Sequence, residues 1–232
     1  RTAVSMLVAI LVAFVIILLV SDQPVESIKT FLLAPFSSKR YLGNIVETAV
    51  PLIFSGLAMA VMFKANLFNL GGEGVFFISG IAGSFLAIWL KMPPIVFPIA
   101  CIAAGALAGM IIMLVPGVLK AKYGANEMVT SLMMNNILLG VGLYLLNNVM
   151  RDPKVASLVS YKYRSNALLS NIVPGTRIHS GFLIAVLCAV LVYLFMFKSK
   201  WGYEIRMTGN NAKFASYSGI NVTKVIIIVH LA

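Results

Sequence analysis

The chain has 232 residues, of which 60% are hydrophobic and 11% charged. A soluble domain carries about 25% charged residues, so this charge content, with apolar residues in long blocks, marks an integral membrane protein and excludes a separate soluble domain. The net charge of +11 resides in loop cations that orient helices and meet anionic lipid; the aromatics lie inside apolar runs rather than among the basic residues, which argues against a nucleic-acid partner.

Residues 4–20 are uncharged and almost wholly apolar, between Arg1 and Asp22, and predict a first membrane span. A signal-peptide core is shorter, and no small-residue cleavage site follows. Residues 21–44, with Pro24 and Pro35, form a polar connection with room for a short helix. Residues 45–63 are the second span. Its Glu47 either reaches the interface or faces the bundle interior, and Pro51 kinks the helix or marks its first turn.

Residues 75–90 and 95–119 are the third and fourth spans, separated by Lys91, Met92, Pro93 and Pro94. Gly80, Gly83 and Ser84 on one, and the GxxxG pair Gly105 and Gly109 on the other, suit close helix packing. After a short basic loop at 120–126, residues 128–149 form the fifth apolar region, interrupted by Asn135 and Asn136. Amides at that depth need partners, either across a helix interface or along a substrate path. A polar connection at 150–181 precedes a sixth span at 182–197, a basic segment at 198–224, and an apolar run at 225–232 that stops short of a full span. The expectation is therefore a piece of a longer protein. Cys101 and Cys188 lie in apolar segments, as small hydrophobes, and His179 and His230 lack ligand spacing, so no metal site is expected.

Two stretches carry functional information. The first is LFNLGGEG, residues 67–74, between the second and third spans. Its glycines permit tight turns and close backbone approach. A bilayer tolerates such irregular backbone only where protein buries it or it lines a wet cavity. It is either a plain interfacial turn or the broken-helix element of a transport pathway. The second is residues 201–221, WGYEIRMTGNNAKFASYSGIN. A short helix over 203–208 is expected to stop at Gly209 as a C-terminal cap. Asn210 or Asn211 then caps a second helix reaching about Ser218, ended by Gly219. Such a protrusion offers Phe214, Ala215 and Tyr217 to a groove on a partner, or lies on anionic headgroups.

Four blocks, in order and spacing, resemble the membrane permease subunits of ABC-type importers, in the branch that handles branched-chain amino acids, simple sugars and nucleosides. They are residues 51–65 running into LFNLGGEG, GANEMVTSLMMNNI at 124–137, RIHSGFLIAVL at 177–187, and the segment from Trp201 to Val225. The sugar branch usually carries a segment nearer GGIDLSVGS, which is absent here, so the nucleoside type is favoured. Where the family often has glutamine after GEG, this chain has Val75.

The resemblance implies an all-α polytopic helix bundle with broken or re-entrant helices, like a type II ABC importer permease and cut off in a later span. It implies that residues 198–224 couple to a separate ATPase, with Glu204, Arg206, Gly209, Asn211, Ala215, Gly219 and Ile220 on family positions. This in turn implies an N-terminus inside, where loop cations alone are equal on the two sides. The expected substrate pathway takes Phe68, Asn69, Gly71, Gly72, Glu73 and Gly74, with Glu47, Asn135 and Asn136 as further candidates. Glu73 is either a structural carboxylate for freed backbone N–H groups or a ligand contact. The chain lacks a phosphate loop of the GxxxxGK[ST] type, so no cofactor is expected on it; ATP and magnesium belong to the partner ATPase. The other expected partners are a second permease subunit, identical or related, an extracytoplasmic binding protein and the lipid of a bacterial inner membrane. A passive channel and an intramembrane enzyme are the alternatives from other classes.

Overall fold

The computed structural model describes residues 2–21, 23–157 and 159–231. Arg1 and Asp22, which flank the first expected span, Leu158 in the polar connection, and Ala232, the last residue of the final apolar run, lie outside the described residues. The chain is almost entirely helical, with two isolated bridges, Arg151 to Ser160 and Asn171 to His179, and no strand among the described residues. Among the described residues, five helices are long and apolar enough to cross a membrane: α3 (Lys39–Lys64), α4 (Gly72–Trp89), α5 (Val96–Tyr123), α6 (Glu127–Leu145, continued by a π-helical turn over Leu146–Met150) and α7 (Gly181–Lys198). The first helix, α1 (Thr2–Val20), is apolar on all sides and about 28 Å long at 1.5 Å per residue, close to the ~30 Å hydrocarbon core. The protein is thus an all-α polytopic membrane protein, and the many exposed Leu, Ile, Val and Phe side chains on these helices are what a lipid-facing surface requires.

Several boundaries differ from expectation. The connection at 21–44 is mostly helix. It holds α2 (Pro24–Ser37), with Pro24 at the first turn where its missing N–H is harmless, and α3 begins at Lys39 rather than 45, so Pro51 lies well inside it. Helix α4 starts at Gly72, before the apolar run. Helix α5 continues through Lys120 and Lys122 to Tyr123 and ends on Gly124 in the left-handed conformation, φ +65°, which shrinks the expected basic loop to three residues.

Two compact units make up the chain. The first comprises residues 1–50 with 170–182. Within it, Phe14 meets Phe31 edge-on at 6.1 Å, and a Cβ on Gly43 would lie 2.8 Å from Thr176 Cβ, so the start of α3 and the loop before α7 touch closely. The second comprises 51–169 with 183–232. Here the small residues pack as their spacing predicts: a Cβ on Gly105 would stand 2.9 Å from the Ser79 carbonyl oxygen, one on Gly109 2.9 Å from Ser79 Oγ, and one on Gly83 3.0 Å from the Cys101 carbonyl oxygen. Without these glycines α4 and α5 could not approach so closely. Gly80 faces open space.

The remaining α-helices are α8 (Lys200–Asn210), α9 (Ala212–Tyr217) and α10 (Val222–Leu231). Val61 and Met62 from the end of α3, Ala65 and Leu67 just after it, Met196 from the end of α7, Ile205 from α8, and Val225 and Val229 from α10 form one buried cluster. That cluster gathers one end of the bundle around the glycine-rich stretch.

Candidate functional site

Helix α3 closes in a Schellman arrangement. Asn66 takes the left-handed conformation, φ +56°, which asparagine adopts more readily than most residues. Its N–H bonds to the Phe63 carbonyl, and the Leu67 N–H reaches back to the Met62 carbonyl, each at 3.0 Å. This drives Leu67 into the cluster and turns the chain away. Phe68 stays half-exposed, its ring 5.2 Å from that of Phe63.

The next residues hang from side chains rather than from regular structure. Asn69 is buried; its Oδ1 accepts from the Gly71 N–H at 2.6 Å and its Nδ2 donates to Met113 Sδ at 3.0 Å. The Leu70 N–H donates to Ser131 Oγ at 2.9 Å, and the Gly74 N–H to Asn135 Oδ1 at 2.6 Å. Ser131 and Asn135 are one turn apart and so project from one face of α6. The first turn of a helix leaves N–H groups without intrahelical partners; on α4 one of these is satisfied by an amide from a neighbouring helix. Backbone contact is equally close: a Cβ on Gly74 would lie 2.7 Å from the Asn135 carbonyl oxygen, and one on Gly71 3.2 Å from that of Ser131.

The expected pathway residues therefore separate. Asn69, Gly71, Gly74 and Asn135 form a buried hydrogen-bonded joint. Gly72 and Glu73 are exposed on the first turn of α4, and a Cβ on Gly72 would meet nothing within 4 Å. Glu73 has no hydrogen bond or ion pair among the described residues; the Gly71 and Gly74 N–H groups go to Asn69 and Asn135. Asn136 is exposed on α6. Glu47 lies in the other unit, where its carboxylate is 3.9 Å from Arg177. Ser131, fully buried, was not singled out from the sequence. Its signal was available: a hydroxyl and an amide four residues apart in an apolar helix.

The segment 198–224 is held at the same end. Ser199 alone separates α7 from α8. Its hydroxyl accepts from the Gly202 N–H at 3.1 Å and donates to the Phe195 carbonyl at 2.6 Å, capping α8 while closing α7. Gly202 sits against the Phe195 and Met196 carbonyls with no room for a side chain. Arg206 donates to the Met196 carbonyl and lies over the Phe197 ring, 5.1 Å from its centroid. Glu204 is 3.9 Å from Lys200, one turn earlier.

Gly209 does not cap a helix. Helix α8 runs through it to Asn210, and its backbone presses on the Lys64 carbonyl and on Ala65. The glycine is needed for close approach between elements, not for a left-handed turn. Asn211 both ends α8 and caps α9, accepting from the Phe214 N–H at 3.0 Å. Gly219, φ +82°, closes α9 with a second Schellman pair: its N–H bonds to the Ser216 carbonyl at 3.1 Å, and the Ile220 N–H to that of Ala215 at 3.0 Å. Ala215 is 0% exposed, so it packs inward and is not offered to a partner as the sequence suggested; Phe214 and Tyr217, at 55% and 91%, are. Among the described residues no group of three or more His, Cys, Asp or Glu side chains stands close enough to hold a metal ion.

Residues 41–232 match the family model for the permease component of branched-chain amino acid transport systems. A glucose ABC transporter permease protein of Haloferax volcanii is 30% identical over 98% of this chain and 62% of its own length. A guanosine ABC transporter permease protein of Bacillus subtilis is 33% identical over 82% of this chain and 55% of its own. A nucleoside ABC transporter permease protein of Lactococcus lactis is 27% identical over 98% and 66%. The chain thus spans roughly three fifths of the length of these relatives. No solved structure matches. With the family match covering residues 41–232, the chain belongs to the permease-component family of branched-chain amino acid transport systems.

Proposed function

We propose that this chain is part of the membrane-spanning permease subunit of an ATP-binding-cassette importer, moving a small polar solute of the nucleoside type. The observation that carries this reading is the α8–α9 segment. One face is welded to the ends of α3 and α7 through Gly209, Ile205 and Arg206, while the other exposes Phe214 and Tyr217. A compact protrusion with exposed aromatics suits docking to a separate protein, here an ATPase that holds ATP and magnesium. The permease hydrolyses nothing itself. A second permease subunit, identical or related, completes the pathway, and an extracytoplasmic binding protein delivers the solute. In this arrangement α8–α9 face the cytoplasm of a bacterial cell, and the exposed first turn of α4, with Phe68, Gly72 and Glu73, lines the route. The guanosine- and nucleoside-permease relatives support the nucleoside reading.

A sugar is the second reading, supported by the relative described as a glucose permease, which aligns over 98% of this chain. The test is reconstitution of the full-length permease with its ATPase and binding protein in proteoliposomes. Uptake of labelled nucleoside that requires ATP and all three components is expected. Uphill uptake without the ATPase refutes the coupling assignment, and ATP-driven uptake of glucose but not nucleoside selects the second reading.

A further inference from the structure

We propose that Ser131 and Asn135 are positioning residues through which movement of the α8–α9 segment reaches the membrane-spanning helices; this deepens the permease reading and rests on it. The contacts form an unbroken series within one compact unit. Phe214 and Tyr217 are exposed on α9, whose Ala215 is wholly buried and whose closing residue Ile220 packs on the core cluster. Ile205 of α8 shares that cluster with Val61, Met62, Ala65 and Leu67, and Gly209 puts backbone directly on the Lys64 carbonyl and Ala65. Such joints are stiff: close-packed interiors transmit displacement rather than absorb it, and backbone-on-backbone contact has no rotamer to yield.

From Leu67 the chain runs through Phe68 and Asn69 to Leu70, whose N–H is held by Ser131, and on to Gly74, held by Asn135. Both acceptors lie on α6, and the Gly74 backbone also abuts that of Asn135. A shift of α8–α9 therefore moves the 65–74 stretch, and α6 follows through two hydrogen bonds. The same bonds set where Gly72 and Glu73, the exposed first turn of α4, stand in the pathway. Ser131 has no other exposed role: it is fully buried, and its hydroxyl also donates to the Met128 carbonyl at 3.2 Å, which aims its lone pairs outward at Leu70.

The test measures solute taken up per ATP hydrolysed by the full-length permease assembled with its ATPase and binding protein. Ser131→Ala, Asn135→Leu and Asn135→Asp are compared with wild type. A residue that matters only for folding lowers uptake and hydrolysis together. A positioning residue in the transmission route uncouples them. Ser131→Ala and Asn135→Leu are expected to keep the ATPase bound and hydrolysing while uptake per ATP falls roughly fivefold or more, and Asn135→Asp, which keeps an acceptor for the Gly74 N–H, to retain more of the ratio than Asn135→Leu. An unchanged ratio in Ser131→Ala overturns the proposal, whether the two rates hold or fall in parallel. If Asn135→Leu does not assemble, Ser131→Ala decides alone, because it removes one oxygen and adds no bulk. Failure of the wild-type assembly to show ATP-dependent uptake overturns the permease reading instead.

Discussion

The backbone of Gly209 lies against the carbonyl oxygen of Lys64, joining α8 to the end of α3 with no side chain between them. Two effects compete when Gly209 becomes alanine. In a helix interior alanine is favoured over glycine by about 1 kcal/mol. Forcing a methyl into a filled space costs about 1–3 kcal/mol, and here the obstacle is backbone, which cannot rotate away. Gly209→Ala should therefore be destabilising despite its better helix propensity. A lower midpoint of thermal unfolding in detergent is the expected result; a higher one would mean the contact is loose.

Gly72 and Gly74 make an internal control for the α4 joint. Gly74→Ala sets a Cβ 2.7 Å from the Asn135 carbonyl oxygen, whereas Gly72→Ala meets nothing within 4 Å. Gly74→Ala should lose most uptake and some thermal stability, and Gly72→Ala should keep the stability of the wild type or gain a few tenths of a kcal/mol, the helix preference of alanine. Equal effects of the two would contradict the geometry.

Three substitutions, in α9 and at its cap, should separate folding of the protrusion from docking on it. Asn211→Ala removes the cap of a six-residue helix, at a cost of about 1 kcal/mol; so short a helix has little stability of its own, and faster proteolytic cleavage within 211–220 is expected. Ala215→Arg puts a charge into a fully buried position and should unfold the segment. Tyr217→Ala, at a 91% exposed site, should leave unfolding unchanged while reducing the amount of ATPase that co-purifies. Wild-type levels of co-purified ATPase in Tyr217→Ala would remove this tyrosine from the docking face.

Glu47 and Arg177 are 3.9 Å apart and both partly exposed, with side-chain exposures of 37% and 66%. An exposed pair of this kind contributes about 0–1 kcal/mol. Glu47→Gln should shift stability by less than about 0.5 kcal/mol and leave the apparent affinity for solute unchanged. A severalfold loss of affinity would return Glu47 to the pathway.

Much of the fold was legible because membrane spans announce themselves by length and apolarity. Helices α3 to α7 cover the apolar runs from which spans were expected, and they differ from those runs at the ends. Polar residues such as Lys39 and Lys120 continue helices past the apolar runs, where backbone hydrogen bonding favours continuation and no apolar signal reports it. The Asn211 cap and the Gly219 stop were readable for a local reason: each acts within four residues of itself.

Sequence alone determined the membrane class, the succession of helices, the two-helix segment near the end and the family, since all of these rest on local composition and ordered motifs. Only the tertiary structure decided what the motif residues do. Gly209, expected as a helix cap, proved to be a contact with Lys64, because a glycine chosen for a left-handed turn and one chosen for close approach are identical in sequence. Ala215, expected on a docking face, proved to be core. At the start of α4, where Glu73 was a candidate acceptor, the Gly71 N–H is taken by Asn69 and the Gly74 N–H by Asn135, sixty-one residues away. Partners that distant are set by which helix faces meet, and no short stretch of sequence encodes that.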